Sequence, residues 1–218
     1  MTLNDFRVNN TEVNSQNLVY IDTSIDELVV TNSIFSTIKV GGSTSLFAIT
    51  SVKMLQMSAI QFSQISSSSA DDSSNYMINI GAIDLSSEVD STIQNCQVSQ
   101  TTIGFLNFAS ITNEPTQPRQ LEVMDVEVTN SQYPIPVDIF NFERISTAQD
   151  FTIRMTRIHF ESLSFRLGGN LINMQALISN GLVVIDSTAS DITGGSMNVE
   201  AFNKQNLAVP AKLSKYRL

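Results

Sequence analysis

Leu55-Gln56-Met57-Ser58-Ala59-Ile60-Gln61-Phe62-Ser63-Gln64-Ile65 is the stretch that decides the fold. Apolar residues stand at Leu55 and Met57, at Ile60 and Phe62, and again at Ile65. Period-two alternation marks a strand with one buried face, and the three-residue jumps mark corners. The figure recurs as Leu28, Val30, Ser33, Phe35, Ile38, as Ile153, Met155, Ile158, Phe160, Leu163, and as Leu182, Val184, Ser187, Ala189, Ile192. Leu121, Val123, Val126 and Val128 match until Ser131 breaks the last position. Ile93, Cys96 and Val98 match more loosely, and Phe6, Val8, Thr11 and Val13 make a worn first copy. The positions equivalent to Met57 are therefore Val8, Val30, Ile93, Val123, Met155 and Val184. Their steps are 22, 27, 36, 30, 32 and 29 residues.

A second figure follows each of the first six copies, reading apolar, apolar, any, apolar. Its copies are Leu18-Val19-Tyr20-Ile21, Leu46-Phe47-Ala48-Ile49, Met77-Ile78-Asn79-Ile80, Phe105-Leu106-Asn107-Phe108, Ile139-Phe140-Asn141-Phe142 and Leu171-Ile172-Asn173-Met174. Four successive copies carry Asn in third place. Stacked strands set Asn79, Asn107, Asn141 and Asn173 one above another, and amides ~4.8 Å apart can bond as a ladder. A weaker third element comprises Ile25, Val52, Ile83, Ile111, Ile145 and Leu177. Each repeat offers three short strands. One coil cannot bury its own apolar face, so stacked coils are required. The prediction is an all-β fold, a parallel β-helix of about seven three-strand coils over residues 1–202. Gly41-Gly42, Gly168-Gly169 and Gly194-Gly195 mark tight corners.

Composition agrees. Hydrophobic residues make up 42% of the 218, while charged residues are only 15%. Polarity comes from Ser, Thr, Asn and Gln, which suit turns and sheet surfaces rather than helix surfaces. The net charge of −9 repels phosphate backbones, which argues against nucleic acid as a partner. The single cysteine, Cys96, excludes an internal disulfide and falls at an inward position. No apolar run reaches ~18 residues, so no membrane helix is expected. Met1-Thr2-Leu3-Asn4-Asp5 lacks the basic and apolar regions of a signal peptide. After Glu200 there are no acids, whereas Lys204, Lys212, Lys215 and Arg217 appear. Residues 203–218 therefore read as a basic extension: a cap, a linker or a docking arm.

The irregular three-strand repeat with a shared Asn column resembles right-handed parallel β-helix proteins of the pectin-lyase-like superfamily. It is also similar to Ser/Thr/Asn-rich repeat regions of protist and bacterial surface proteins. The likeness covers roughly residues 3 to 200. A leucine-rich repeat would need a tighter period, and a β-sandwich would not need a fixed internal figure. Right-handedness follows from the resemblance and from the general preference of parallel crossovers.

Enzymes of that superfamily cleave acidic polysaccharides with clustered or paired carboxylates, and the physics requires two within several ångströms. The only Asp-Asp pair here is Asp71-Asp72, in a Ser-rich loop. The one histidine, His159, lies between inward Ile158 and Phe160 and should point outward. No Cys/His cluster suits zinc, and Asp71, Asp72, Asp90 and Asp125 offer at most a weak Ca²⁺ site. No cofactor is expected. Trp is absent, and Tyr20, Tyr76, Tyr133 and Tyr216 are scattered, so no aromatic sugar platform is evident. Asn9-Asn10-Thr11 is the single glycosylation sequon. The expected role is a non-enzymatic interaction module within a larger surface, adhesive or filament-forming protein. Such a module would associate end to end with other copies or neighbouring subunits. The alternatives are a polysaccharide-binding or polysaccharide-cleaving protein and a cytoplasmic scaffold.

Overall fold

The protein is described from a computed structural model, which covers residues 1–14, 16–68, 74–143, 150–174 and 182–199. In chain order the strands are β1 Thr2–Asn4, β2 Arg7–Val13, β3 Val19–Thr31, β4 Ile34–Val40, β5 Phe47–Ser67, β6 Tyr76–Asp84, β7 Ser91–Ser99 and β8 Gly104–Thr112. They continue with β9 Arg119–Tyr133, β10 Val137–Phe142, β11 Phe151–Phe165, β12 Gly169–Met174, β13 Leu182–Ile185, β14 Thr188–Thr193 and β15 Ser196–Val199. Strand makes up 74% of the structure. Among the described residues every pairing is parallel and joins one coil to the next, giving a β-solenoid of about 6 turns, close to the seven coils expected.

Three ladders run along the solenoid. In the first, Leu3, Val30, Met57, Ile93, Val123, Met155 and Val184 are successive partners. In the second the sequence is Val8, Phe35, Phe62, Val98, Val128, Phe160 and Ala189. The third stacks Val19, Phe47, Ile78, Leu106, Phe140, Ile172 and Met197.

Val8 is a correction. It was expected below Val30, but its partner is Phe35, and Leu3 holds the place beside Val30. The reason lies in the bends. Asp5, Asn32, Ala59, Asn95, Asp125, Arg157 and Asp186 adopt left-handed backbone, and so do Asn10, Thr37, Gln64, Gln100, Asn130, Ser162 and Asp191. All fourteen φ values fall between 49° and 56°, and the two bends of each rung lie five residues apart. Each bend consumes one residue without reversing the inward face, and that residue is the extra step in the sequence figure. Eight of the fourteen are Asp or Asn, the non-glycine residues that best tolerate this conformation. Because the bends are equally spaced, the apolar figure maps onto itself when slid by five residues. Val8, Thr11 and Val13 therefore stack on Phe35, Ile38 and Val40, one bend further along than Val30 and Ser33.

The core is continuous. Leu28, Val30, Leu55, Met57, Ile60, Leu121, Val123 and Met155 are fully buried. A phenylalanine spine links rung to rung: Phe6–Phe35, Phe35–Phe62, Phe62–Phe105, Phe105–Phe140 and Phe140–Phe160, with centroids 5.3 to 6.0 Å apart. Edge-on and offset rings add to the stabilisation from area burial. Ser131, which breaks the apolar figure, is buried with Thr101 and Tyr133. The Thr101 amide donates to Ser131 Oγ at 3.1 Å, and the Tyr133 hydroxyl bonds with both side chains. The interruption is thus a satisfied polar cluster inside the core. Of the third apolar element, Ile25, Val52, Ile83 and Ile111 are in register, while Ile145 and Leu177 lie outside the described residues.

Candidate functional site

A polar surface feature lies along the third ladder. Its inward residues Ile78, Leu106, Phe140 and Ile172 alternate with Asn79, Asn107, Asn141 and Asn173, which are in register on the outer face. Asn107 Nδ2 donates to Asn79 Oδ1 at 2.9 Å, Asn141 Nδ2 to Asn107 Oδ1 at 2.8 Å, and Asn173 Nδ2 to Asn141 Oδ1 at 3.0 Å. Every donor points back toward the earlier coil, so the amide dipoles align. The ladder ends at Ala48, the register neighbour of Asn79, which has no amide to receive the next bond.

The second N–H of the later amides goes to carboxylates. Asn173 Nδ2 also donates to Asp138 Oδ2 at 2.7 Å, and Asn141 Nδ2 to Glu143 Oε1 at 3.3 Å. Asn170 Nδ2 holds the other oxygen, Asp138 Oδ1, at 2.7 Å. These bonds explain why Asn107, Asn141 and Asn173 are buried although they face outward.

Tyr76 closes one side. A Cβ on Gly104 would stand 2.4 Å from the Tyr76 ring, so the ring occupies the space that glycine leaves. The Tyr76 hydroxyl is hydrogen-bonded with Asn141, but burial and then the charges of Asp138 and Glu143 push its pKa well above the ordinary phenol value. The result is a groove of about 600 Å³ floored by Asn79, Asn107 and Asn141 and flanked by Tyr76, Asp138 and Glu143. It is rich in acceptors, and no basic side chain lines it among the described residues.

The ladder was legible as a repeated Asn, but its surroundings were not. Tyr76, Gly104, Asp138 and Asn170 each directly precede a copy of the apolar-apolar-Asn-apolar figure. Comparing that preceding position across copies would have exposed them.

Other expected residues stand apart from the groove. His159 sits on the second ladder beside Glu127 and Thr188; its Nδ1 is 2.6 Å from Thr188 Oγ1 and its Nε2 3.5 Å from Glu161 Oε2. Asp125 is engaged by Arg157 through two bonds of 2.6 and 2.7 Å, which hold its carboxyl below the usual range. Asp90 accepts from Arg119 Nε at 3.2 Å and from the Gln120 amide at 2.8 Å. Tyr20 is 64% exposed, at the outer position next to Ala48. Asp71 and Asp72, and Lys204, Lys212, Lys215 and Arg217 of the basic extension, lie outside the described residues. Comparison of the chain with protein-family models, curated proteins and solved structures finds no match.

Proposed function

We propose that this chain is a non-enzymatic structural module, a β-solenoid segment of a larger surface, adhesive or filament-forming protein, and that it associates through its ends. By architecture we group it with the pectin-lyase-like solenoids and the repeat regions of surface proteins, and we place it outside the cell or at its surface.

One observation carries the reading. Among the described residues the first rung is an open edge: there β1 pairs only with β3 and β2 only with β4. Leu3, Val8, Leu18, Val19 and Ile25 pack on the core while only partly buried, and Phe6 is 36% exposed. Unpaired strand edge above an apolar cross-section favours a further rung stacked on it. His159 and Asp125 line one depression of about 530 Å³ with Glu127 and Arg157, and the non-catalytic part of the proposal rests on their pairing there: Arg157 holds both oxygens of Asp125, and His159 is engaged with Thr188 and Glu161.

Light scattering and negative-stain electron microscopy over a wide range of concentration and salt test it. Rods that lengthen with concentration, and shorten in a Val8→Glu, Leu18→Glu variant, are expected. A strictly monomeric wild-type particle throughout would overturn it.

A further inference from the structure

We infer that the amide-floored groove beside Tyr76, Asp138 and Glu143 is the docking site of the chain's own basic segment, residues 203–218. Three observations lead there. The groove offers two carboxylates, the second lone pairs of its amide oxygens and a phenol oxygen, with no described cation among its walls. Ammonium and guanidinium groups are the complement of such a surface. The segment supplies Lys204, Lys212, Lys215 and Arg217 and contains no acid, whereas residues 1–203 hold eight basic and 21 acidic residues.

Position supplies the third. β15, the last described strand, runs on the same ladder as the groove. Ser196 is the register neighbour of Asn170, a groove residue, and Asn198 that of Asn173. Asn141 is two rungs from Asn198, roughly 10 Å at strand spacing. Lys204 follows Asn198 by six residues, a reach of roughly 20 Å when extended. All four cations can therefore come to Asp138 and Glu143 without any movement of the solenoid. This inference does not rest on end-to-end association, because the groove is on a flank of the solenoid and not on its open edge.

Zero-length carbodiimide coupling of the intact chain tests it. The reagent joins a carboxylate to a lysine amine only where the two are in contact. Mass spectrometry of an equal mixture of ¹⁵N-labelled and unlabelled chains separates bonds within one chain from bonds between two. The expected product joins Asp138 or Glu143 to Lys204, Lys212 or Lys215 within one chain. Its yield should fall several-fold in high salt. In an Asp138→Asn, Glu143→Gln variant with unchanged circular dichroism, coupling of the tail lysines should fall to background. Coupling of those lysines to acids elsewhere, coupling only between chains, or no coupling of the tail would each overturn the inference.

Discussion

Cys96 fills, at its bend, the place that Ser33 fills two rungs earlier. Ser33 follows the left-handed residue Asn32, donates from Oγ to the Thr31 carbonyl at 2.8 Å, and accepts from the Phe6 amide of the preceding coil at 3.2 Å. Cys96 follows the left-handed Asn95, donates from Sγ to the Gln94 carbonyl at 3.4 Å, and accepts from the Ile60 amide. Ser187 repeats the arrangement with the Ile185 carbonyl and the Ile158 amide. The cysteine is a structural thiol standing where a serine also works.

Cys96→Ser should accordingly cost less than about 1 kcal/mol in urea denaturation, while Cys96→Ala, which removes both bonds, should cost about 1–3 kcal/mol. Burial pushes the Cys96 thiol up to about 12. In the unfolded chain a thiol ionises near ~8.5. Above that pH the unfolded state binds fewer protons than the folded state, so stability falls as pH rises toward 12. Tyr133, also pushed up to about 12 by burial, adds to the loss above ~10. Denaturation midpoints across the alkaline range should show both losses in the wild type and only the second in Cys96→Ser.

The ladder predicts a gradient of cost. Asn141→Ala leaves Asn107 Oδ1, Asn173 Nδ2 and the Tyr76 hydroxyl short of a partner, and should cost about 2–4 kcal/mol. Asn79→Ala, at the end of the ladder, strands one donor and should cost about 1 kcal/mol. Ala48→Asn extends the ladder by one rung and should be neutral or stabilising by up to about 1 kcal/mol, since Asn79 Nδ2 then gains an acceptor. Equal losses at Asn79 and Asn141 would contradict a cooperative ladder.

The bends predict a second series. Ala59 holds a φ of 54° with no side-chain polar group to favour it. Ala59→Asn should stabilise by about 0.5–1 kcal/mol, and Ala59→Val should destabilise by more than 1 kcal/mol, because a branched Cβ clashes in left-handed backbone. Thermal melts of the two variants check this with opposite signs.

Arg119 is an inward-facing charge, 3% exposed; among the described residues its Nη1 has no partner and Asp90 is its only ion-pair partner. Burying a charge costs more than one imperfect pair returns. Arg119→Met should therefore be neutral or stabilising. Asp90→Ala, which leaves the guanidinium buried alone, should destabilise by about 3 kcal/mol. Chemical denaturation of both variants decides between them.

The fold was readable because a left-handed bend leaves a visible trace. It inserts one residue into a period-two pattern, and Leu55, Met57, Ile60, Phe62 and Ile65 carry that trace without ambiguity. The same regularity misplaced Val8, since neighbouring bends five residues apart look alike in sequence. The Asn column was visible because four copies repeat it. The groove around it was not, because Tyr76, Gly104 and Asp138 work as unlike residues at equivalent positions: a ring, the gap it fills and a charge. Repetition reveals what is shared between coils and hides what differs. The polar cluster of Thr101, Ser131 and Tyr133 was hidden for the same reason, as its members complement one another across rungs.

The most direct measurement is a spin-label distance along one column. Ser36, Ser63, Ser99, Thr129, Glu161 and Ser190 are successive register partners on the outer face of the second ladder. Ser36→Cys with Ser190→Cys, in the Cys96→Ser background, places two nitroxides five strand spacings apart. Stacked coils predict one narrow distribution centred at about 24 Å. A broad distribution, or a centre beyond about 40 Å, would contradict a solenoid with one strand of each ladder per coil.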